Sequence, residues 1–131
     1  MTTPLWCLVI VALLPYPLAF AGGYFKLRQF GGVDNKHPRL QTQRLEGIGA
    51  RAAGAQANAW EALGLFTAVI AVLSIANPEA ARGTTAANLS LGFLATRVLH
   101  PVCYLANIDV ARSLIFLVGI GCAIGLLWIA A

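Results

Sequence analysis

Three polar side chains occupy one face of a predicted helix inside an otherwise apolar stretch, RAAGAQANAWEALGLF. A helix advances about 100° per residue, so Arg51, Asn58 and Glu61 share that face. A carboxylate in an apolar helix is unfavourable unless a cation or ligand meets it. We therefore favour a binding role for Asn58 and Glu61. The alternative is hydrogen bonding to a neighbouring helix, with Arg51 reaching the membrane interface.

A second polar face lies further along the chain, in ATRVLHPVCYLANIDVARSLIF. Arg97, His100 and Tyr104 fall at i, i+3 and i+7, so a helix brings them together. They could supply cationic and hydrogen-bonding groups to a ligand. They could equally form a structural ion pair between Arg97 and Glu61, with His100 and Tyr104 as interfacial anchors. The two interpretations are compatible.

Arg112 and Ser113 are the candidate catalytic residues. If Asp109 caps the last predicted helix, both lie in its first turn, where free amide groups attract anions. An arginine among those amides predicts an anion site, with Ser113 adding a hydroxyl donor. The alternative is a contact between Arg112 and Asp109, or a cation placed there by membrane topology alone.

No hydrolase, phosphate-loop or metal motif is present. The two histidines have no metal-ligand spacing, and the three cysteines suggest no disulfide framework. The chain also lacks a nucleophilic constellation. If the protein is an enzyme, a bound thiol or another cofactor is expected to supply the nucleophile.

The elements that must position these residues are membrane helices. Of 131 residues, 59% are hydrophobic and 11% charged, with a mean hydropathy of +0.75. A spanning helix needs roughly 20 apolar residues. We predict an all-α integral membrane protein, one domain over residues 1–131, with four spanning helices near 4–27, 46–75, 84–106 and 109–130. Pro15 and Pro17 should kink the first, and Asn77-Pro78 should end the second, which should start in water near Arg39.

The net charge of +4 indicates topology rather than nucleic-acid binding. Nearly all the lysines and arginines surround the first or third connection, and these share one side of a four-helix protein: Lys26, Arg28, Lys36, Arg39, Arg44, Arg51, Arg97 and Arg112. The positive-inside pattern predicts cytoplasmic first and third loops and both termini outside.

The sequence resembles the MAPEG family, the membrane-associated proteins in eicosanoid and glutathione metabolism, and its small bacterial members most closely. The resemblance covers nearly the whole chain. It rests on VDNKHPR in the first loop, on RAAGAQANAWEALGLF, and on RVLHPVCYLANIDVARSLIFLVG. In these segments Asn-x-x-Glu and Arg-x-x-His-x-x-x-Tyr, followed by Arg-Ser, are the specific parts.

The resemblance implies a homotrimer of four-helix bundles in a bacterial inner membrane. It also implies glutathione bound between adjacent subunits and a hydrophobic small molecule as second substrate. By position, five residues match glutathione contacts: Asn58, Glu61, Arg97, His100 and Tyr104. Arg112 matches the arginine that holds the glutathione thiol as thiolate, and Ser113 matches its neighbour.

Some positions depart from the family pattern. Mammalian members have an arginine one turn before the asparagine, where this chain has Gly54; Arg51 lies one turn further back and is a candidate in its place. A prostaglandin-forming member has an arginine and a tyrosine where this chain has Ala57 and Phe116. The expected function is a glutathione-dependent membrane transferase or peroxidase. The alternative is a non-catalytic protein of this fold, either a structural or accessory subunit or a binder of another anionic or lipid ligand.

Overall fold

The computed structural model describes residues 1–131 and is all-helical, as predicted. Its helices are α1 (Thr3–Leu13), α2 (Pro15–Phe30), α3 (Pro38–Gln43), α4 (Gly47–Ala76), α5 (Thr84–Leu105) and α6 (Asp109–Ala130), with a short 3₁₀ turn at Ala80–Arg82. The α4 helix packs on α1, α2, α5 and α6, and the longest shared interface joins α5 to α6. The predicted bounds of the long helices agree closely with these.

The first apolar segment is interrupted at Leu14, directly before Pro15. Leu14 donates its N–H to the carbonyl of Val11 at 3.3 Å, three residues back, so the chain tightens there. Pro15 has no N–H to continue the ladder, so the segment divides into α1 and α2 at the first of the two prolines that were expected to kink it. The α2 helix then ends at Phe30, and the residue that caps it, Gly31, has a φ of 74°, which would strain a residue with a Cβ.

The expectation of one unbroken helix from Arg39 into the membrane is wrong. The α3 helix ends at Gln43, and α4 begins at Gly47, which has a φ of +54°. Gln29 of α2 satisfies the interrupted backbone: its Nε2 donates to the carbonyl of Arg44 at 3.0 Å, and its Oε1 accepts the N–H of Glu46 at 3.0 Å. A side chain from another helix thus stabilises the break.

Three segments are long and apolar enough to cross a membrane: Thr3–Phe30, Gly47–Ala76 and Asp109–Ala130. The α5 helix, which carries Arg97 and His100, is not among them. It nevertheless packs against α1, α4 and α6. A fourth span therefore stays a prediction, while the membrane character of the chain does not depend on it.

Close approach of α5 and α6 depends on glycines. A Cβ at Gly119 would lie 2.7 Å from Nη2 of Arg97 and 2.8 Å from Oγ1 of Thr96. A Cβ at Gly125 would lie 3.2 Å from the side chain of Leu89. Gly121 has no neighbour within 4 Å of that position, so only Gly125 of the Gly121–Gly125 pair serves packing within the chain.

Candidate functional site

A cavity of about 560 Å³ lies between α4, α5 and α6. Its size falls within the roughly 300–1,000 Å³ typical of small-molecule sites. Ten residues line it: Gly54, Ala57, Asn58, Glu61, His100, Tyr104, Arg112, Ser113, Phe116 and Leu117. Six of the eight residues predicted as a site are in this set, and they come from three separate sequence segments.

The turn between α5 and α6 sets the distance between the catalytic candidates and the α5 face. Asn107 has a left-handed φ of 60°, which asparagine tolerates better than most residues. The N–H of Ile108 bonds the carbonyl of Cys103 at 2.9 Å, and that of Asn107 bonds the carbonyl of Tyr104 at 3.2 Å. This is a Schellman pair of hydrogen bonds. It closes α5 tightly, so that α6 starts directly beside it.

Arg112 lies over the ring of Tyr104 as a result. Its guanidinium carbon is 4.5 Å from the ring centroid, which is a cation–π distance. The Tyr104 ring also meets His100 edge-on, with centroids 5.6 Å apart. His100 is buried, whereas Arg112 is half-buried at the cavity wall. Arg112, Tyr104 and His100 therefore form one continuous wall with the cation at its rim.

The amide groups of the α6 first turn are less free than the sequence suggested. The helix begins at Asp109, so Asp109 is not its N-cap; its carboxylate accepts the N–H of Val110 at 2.8 Å. The N–H of Arg112 bonds the carbonyl of Ile108 at 3.1 Å. Ser113 donates its hydroxyl to the carbonyl of Asp109 at 3.1 Å. Positive potential here must come chiefly from the Arg112 side chain.

Arg97 does not line this cavity and lies behind Asn58. Its Nη1 donates to Oδ1 of Asn58 at 3.4 Å, and its Nε donates to Oγ1 of Thr96 at 3.1 Å. Its guanidinium carbon is also 5.3 Å from the Phe93 ring centroid. With Oδ1 engaged, Asn58 retains its NH₂ group as a donor. The partner of Arg97 is thus the amide and not Glu61, the partner considered from sequence.

Arg51 is also outside the cavity. Its Nε donates to the carbonyl of Leu105 at 3.2 Å, at the end of α5. The last carbonyls of a helix have no partner within the helix, so this arginine caps α5 from α4. The structure gives Arg51 an anchoring role at the end of the helix that carries Tyr104.

Gly54 is a lining residue whose role the sequence did not reveal. A Cβ built on it would lie 2.6 Å from the Tyr104 hydroxyl. The tyrosine therefore occupies the space that a side chain at this position would need. Where mammalian members have an arginine, this chain has a tyrosine hydroxyl packed against bare backbone.

Leu117 was also missed, although it lies four residues after Ser113, a helical spacing that could have found it. A smaller cavity of about 140 Å³ adjoins this region and shares Asn58, Glu61 and Phe116 with the first. Its other walls are Arg97 and four apolar residues, Ala62, Leu65, Phe93 and Ile120. The polar cavity thus borders an apolar recess.

The MAPEG family matches residues 3–131, essentially the entire chain. No curated protein and no solved structure matches the chain. The resemblance drawn from the first-loop motif and the two later segments is confirmed by this match. The chain belongs to the MAPEG family.

Proposed function

We propose that the protein is a glutathione-dependent membrane transferase or peroxidase that acts on lipophilic electrophiles. One observation carries the proposal: Asn58, Glu61, His100, Tyr104 and the Arg112–Ser113 pair, which come from three sequence segments, line one cavity. Membership of the MAPEG family supports a role in eicosanoid or glutathione metabolism. Glutathione would supply the thiol nucleophile that the cavity's own side chains lack.

The lining groups fit a zwitterionic peptide. Glu61 is the only carboxylate among them and suits an ammonium group. The NH₂ group of Asn58 and the hydroxyl of Tyr104 can hydrogen-bond peptide carbonyls or carboxylates. The set therefore offers charges of both signs together with neutral hydrogen-bonding groups.

Arg112 is the residue proposed to stabilise a thiolate. A cation beside a thiol lowers the thiol pKa, which raises the fraction of the reactive anion. Tyr104 holds the guanidinium from one side at 4.5 Å, which limits the positions the cation can take. Ser113 could add a donor only by rotating its hydroxyl away from the carbonyl of Asp109, so its contribution is expected to be secondary.

The apolar recess beside Glu61 and Phe116 is the proposed entry for the electrophile. Its volume of about 140 Å³ accommodates the reacting end of a lipophilic molecule rather than an entire lipid. Leu65, Phe93 and Ile120 form its apolar part, where water is disfavoured, and the charged groups of Glu61 and Arg97 lie beside that part. The electrophile would then reach the glutathione thiol at the boundary between the recess and the larger polar cavity, which share Asn58, Glu61 and Phe116.

A homotrimer of four-span subunits is part of the proposal. Glu61 lies at the middle of the 30-residue α4 helix, yet it is exposed on a single chain. A carboxylate facing lipid at that depth is unfavourable. A neighbouring copy that covers this face, with the ligand between subunits, removes the problem. We place the first and third loops in the cytoplasm, both termini outside, and the protein in a bacterial inner membrane.

Calorimetric titration of glutathione into purified protein tests the proposal. We expect binding by the wild type and its loss in Glu61→Gln, because the variant keeps the size but not the charge. Glu79→Gln is a matched control, since Glu79 lies outside the cavity. Absence of binding to the wild type at millimolar glutathione would exclude the proposed activity.

The second candidate is a non-catalytic MAPEG-fold protein that is a structural or accessory subunit, or that binds another anion or a lipid. The contact between Gly54 and Tyr104 favours it, because a tyrosine occupies the space of a family arginine. On this account any bound glutathione shows no thiolate absorbance in the wild type, and Glu61→Ala lowers the thermal stability of the protein.

A further inference from the structure

A small hollow lies behind the wall of the larger cavity, between α1, α4 and α5. Asn58 and His100 line both spaces, so these two side chains form part of the partition between them. The hollow has a volume of about 10 Å³. That is close to the least space that holds one water molecule, and it excludes any larger ligand. We call it the α1–α4–α5 hollow.

Two prolines interrupt the helical hydrogen bonds beside this hollow. Pro101 lines it and has no N–H to donate to the carbonyl of Arg97, four residues earlier in α5. Leu14, which also lines it, lies at the break directly before Pro15. The carbonyl of Arg97 therefore lacks its usual helical partner. A buried carbonyl of this kind is normally satisfied by a side chain or by an ordered water.

His100 is the second group at the hollow that needs a partner. It is 5% exposed, and its ring meets the ring of Tyr104 edge-on. The hydrogen bonds of the buried side chains around it are those of Thr96 and Arg97, and none reaches a ring nitrogen of His100. A neutral imidazole has one donor and one acceptor nitrogen, and buried polar atoms nearly always have a partner.

We propose that the hollow holds one ordered water, which accepts the ring N–H of His100 and donates to the carbonyl of Arg97. The carbonyl can only accept, so it takes a hydrogen of the water and leaves the water oxygen free for the imidazole N–H. Two polar partners are enough to hold a buried water in a site of this size. The nitrogen of His100 that faces the larger cavity is then the acceptor nitrogen.

The consequence for the ligand rests on the proposed function. An acceptor nitrogen at the cavity wall receives a hydrogen bond from a peptide N–H or from the ammonium group of glutathione, and it cannot donate to a carboxylate. The water thus positions His100 for one part of the tripeptide and against another. The water site itself needs no ligand, so glutathione-free protein is enough to test it.

Nitrogen-15 NMR of His100 in lipid bilayers is the test. His37→Gln leaves His100 as the only histidine. At neutral pH we expect one ring tautomer in roughly tenfold excess, with a cross-peak between water and the protonated ring nitrogen. Ala59→Val fills the hollow and should remove the cross-peak. Pro101→Ala returns an N–H to the carbonyl of Arg97, and each variant should reduce the tautomer excess roughly tenfold, the effect of one net hydrogen bond.

Ala68→Val is the matched control, because Ala68 is on the same helix as Ala59 and does not line the hollow. Neither Ala59 nor Pro101 lines the larger cavity, so loss of the cross-peak in Ala59→Val assigns the water to the hollow. Helix content by circular dichroism checks the fold of each variant. Equal tautomers in the wild type would overturn the proposal, as would a cross-peak and a tautomer ratio that both variants leave unchanged. Either result leaves the glutathione titration unaffected, so the two proposals fail separately.

Discussion

Arg112 lines the cavity of about 560 Å³, whereas Arg97 lies behind Asn58, outside that cavity, and their surroundings differ. Arg97 is 6% exposed, bonds Asn58 and Thr96, and lies near the rings of Phe93 and Phe116. Arg112 is half-buried at the cavity wall and contacts the ring of Tyr104. The first arginine fixes the position of other groups. The second is available to a ligand. In this protein, the hydrogen-bond partners that surround each arginine therefore decide whether its guanidinium supports the structure or can bind a ligand.

The largest expected effect is the difference in unfolding free energy between the alanine variants of Arg97 and Arg112. Arg97→Ala leaves Oδ1 of Asn58 without its partner and a void between aromatic rings, so we expect a loss of about 2–4 kcal/mol in unfolding free energy. Arg112→Ala removes one cation–π contact and should lose under about 1 kcal/mol. Reversible unfolding in mixed detergent measures both. Equal losses in the two variants would contradict the comparison.

Crowding the neighbourhood of Arg97 should have the next largest effect. In Gly119→Ala the new Cβ would lie 2.7 Å from Nη2 of Arg97, so the guanidinium or the α6 helix must shift. We expect a loss of about 1–3 kcal/mol. Gly121→Ala on the same helix meets nothing within 4 Å and is the matched control. The same unfolding assay applies, and a neutral Gly119→Ala would show that Arg97 is not tightly held.

Crowding the neighbourhood of Arg112 should alter binding more than stability. In Gly54→Ala the Cβ would lie 2.6 Å from the Tyr104 hydroxyl, which can move aside and carry the ring away from Arg112. We expect glutathione affinity to fall about fivefold, or roughly 1 kcal/mol, with little change in unfolding. Gly64→Ala, which is on the same helix in open space, is the control. A loss of stability without a loss of affinity would give Tyr104 a purely structural role.

The smallest expected effect is a pH dependence of loop stability at Asp34, which lies in the first loop, away from both Arg97 and Arg112. The N–H of His37 and then that of Lys36 donate to its carboxylate and, with the charges of His37 and Arg44, hold its pKa below the ordinary range, although partial desolvation opposes them. Because the pKa is lowered by folding, the loop gains stability above the ordinary pKa of about 3.9 and loses it as pH falls through the lowered value.

Amide exchange of Lys36 and His37 measured across acidic pH checks this. The protection of these two amides from exchange should decrease as the pH is lowered in the wild type. The Asp34→Asn variant should lack this component of the pH dependence. Binding at Arg112 should be unaffected by the Asp34 substitution. A pH-independent loop in the wild type would show that the carboxylate is not what orders it.

Much of this arrangement could be predicted from residue spacing along helices. Asn58 with Glu61, and His100 with Tyr104, share faces at three and four residues, and both pairs reach one cavity. Arg97 shares the α5 face by spacing yet lies outside the cavity. The reason is the close approach of α6 at Gly119, which is a distance between helices that one sequence does not report.

The interruption between α3 and α4 was not predictable for a similar reason. The segment from Arg39 to Gly49 contains no proline after Pro38, and Gly47, whose φ is +54°, is a weak local signal of a break because glycine is also tolerated within membrane helices. The break is stabilised by both ends of the Gln29 amide, which belongs to α2. Local propensity cannot include a partner that only the tertiary fold supplies. The turn at Asn107 was predictable, because its left-handed residue is itself in the turn.

The central claim is that Arg112 stabilises the glutathione thiolate while Arg97, which does not line the larger cavity, does not contact that thiol. Ultraviolet difference absorbance of bound glutathione at neutral pH tests it most directly, with the hydroxyl analogue of glutathione as blank. We predict a thiolate band in the wild type that is absent in Arg112→Gln, although that variant still binds the tripeptide through Glu61. An equal thiolate band in Arg112→Gln, or none in a wild type that binds glutathione, would contradict the claim.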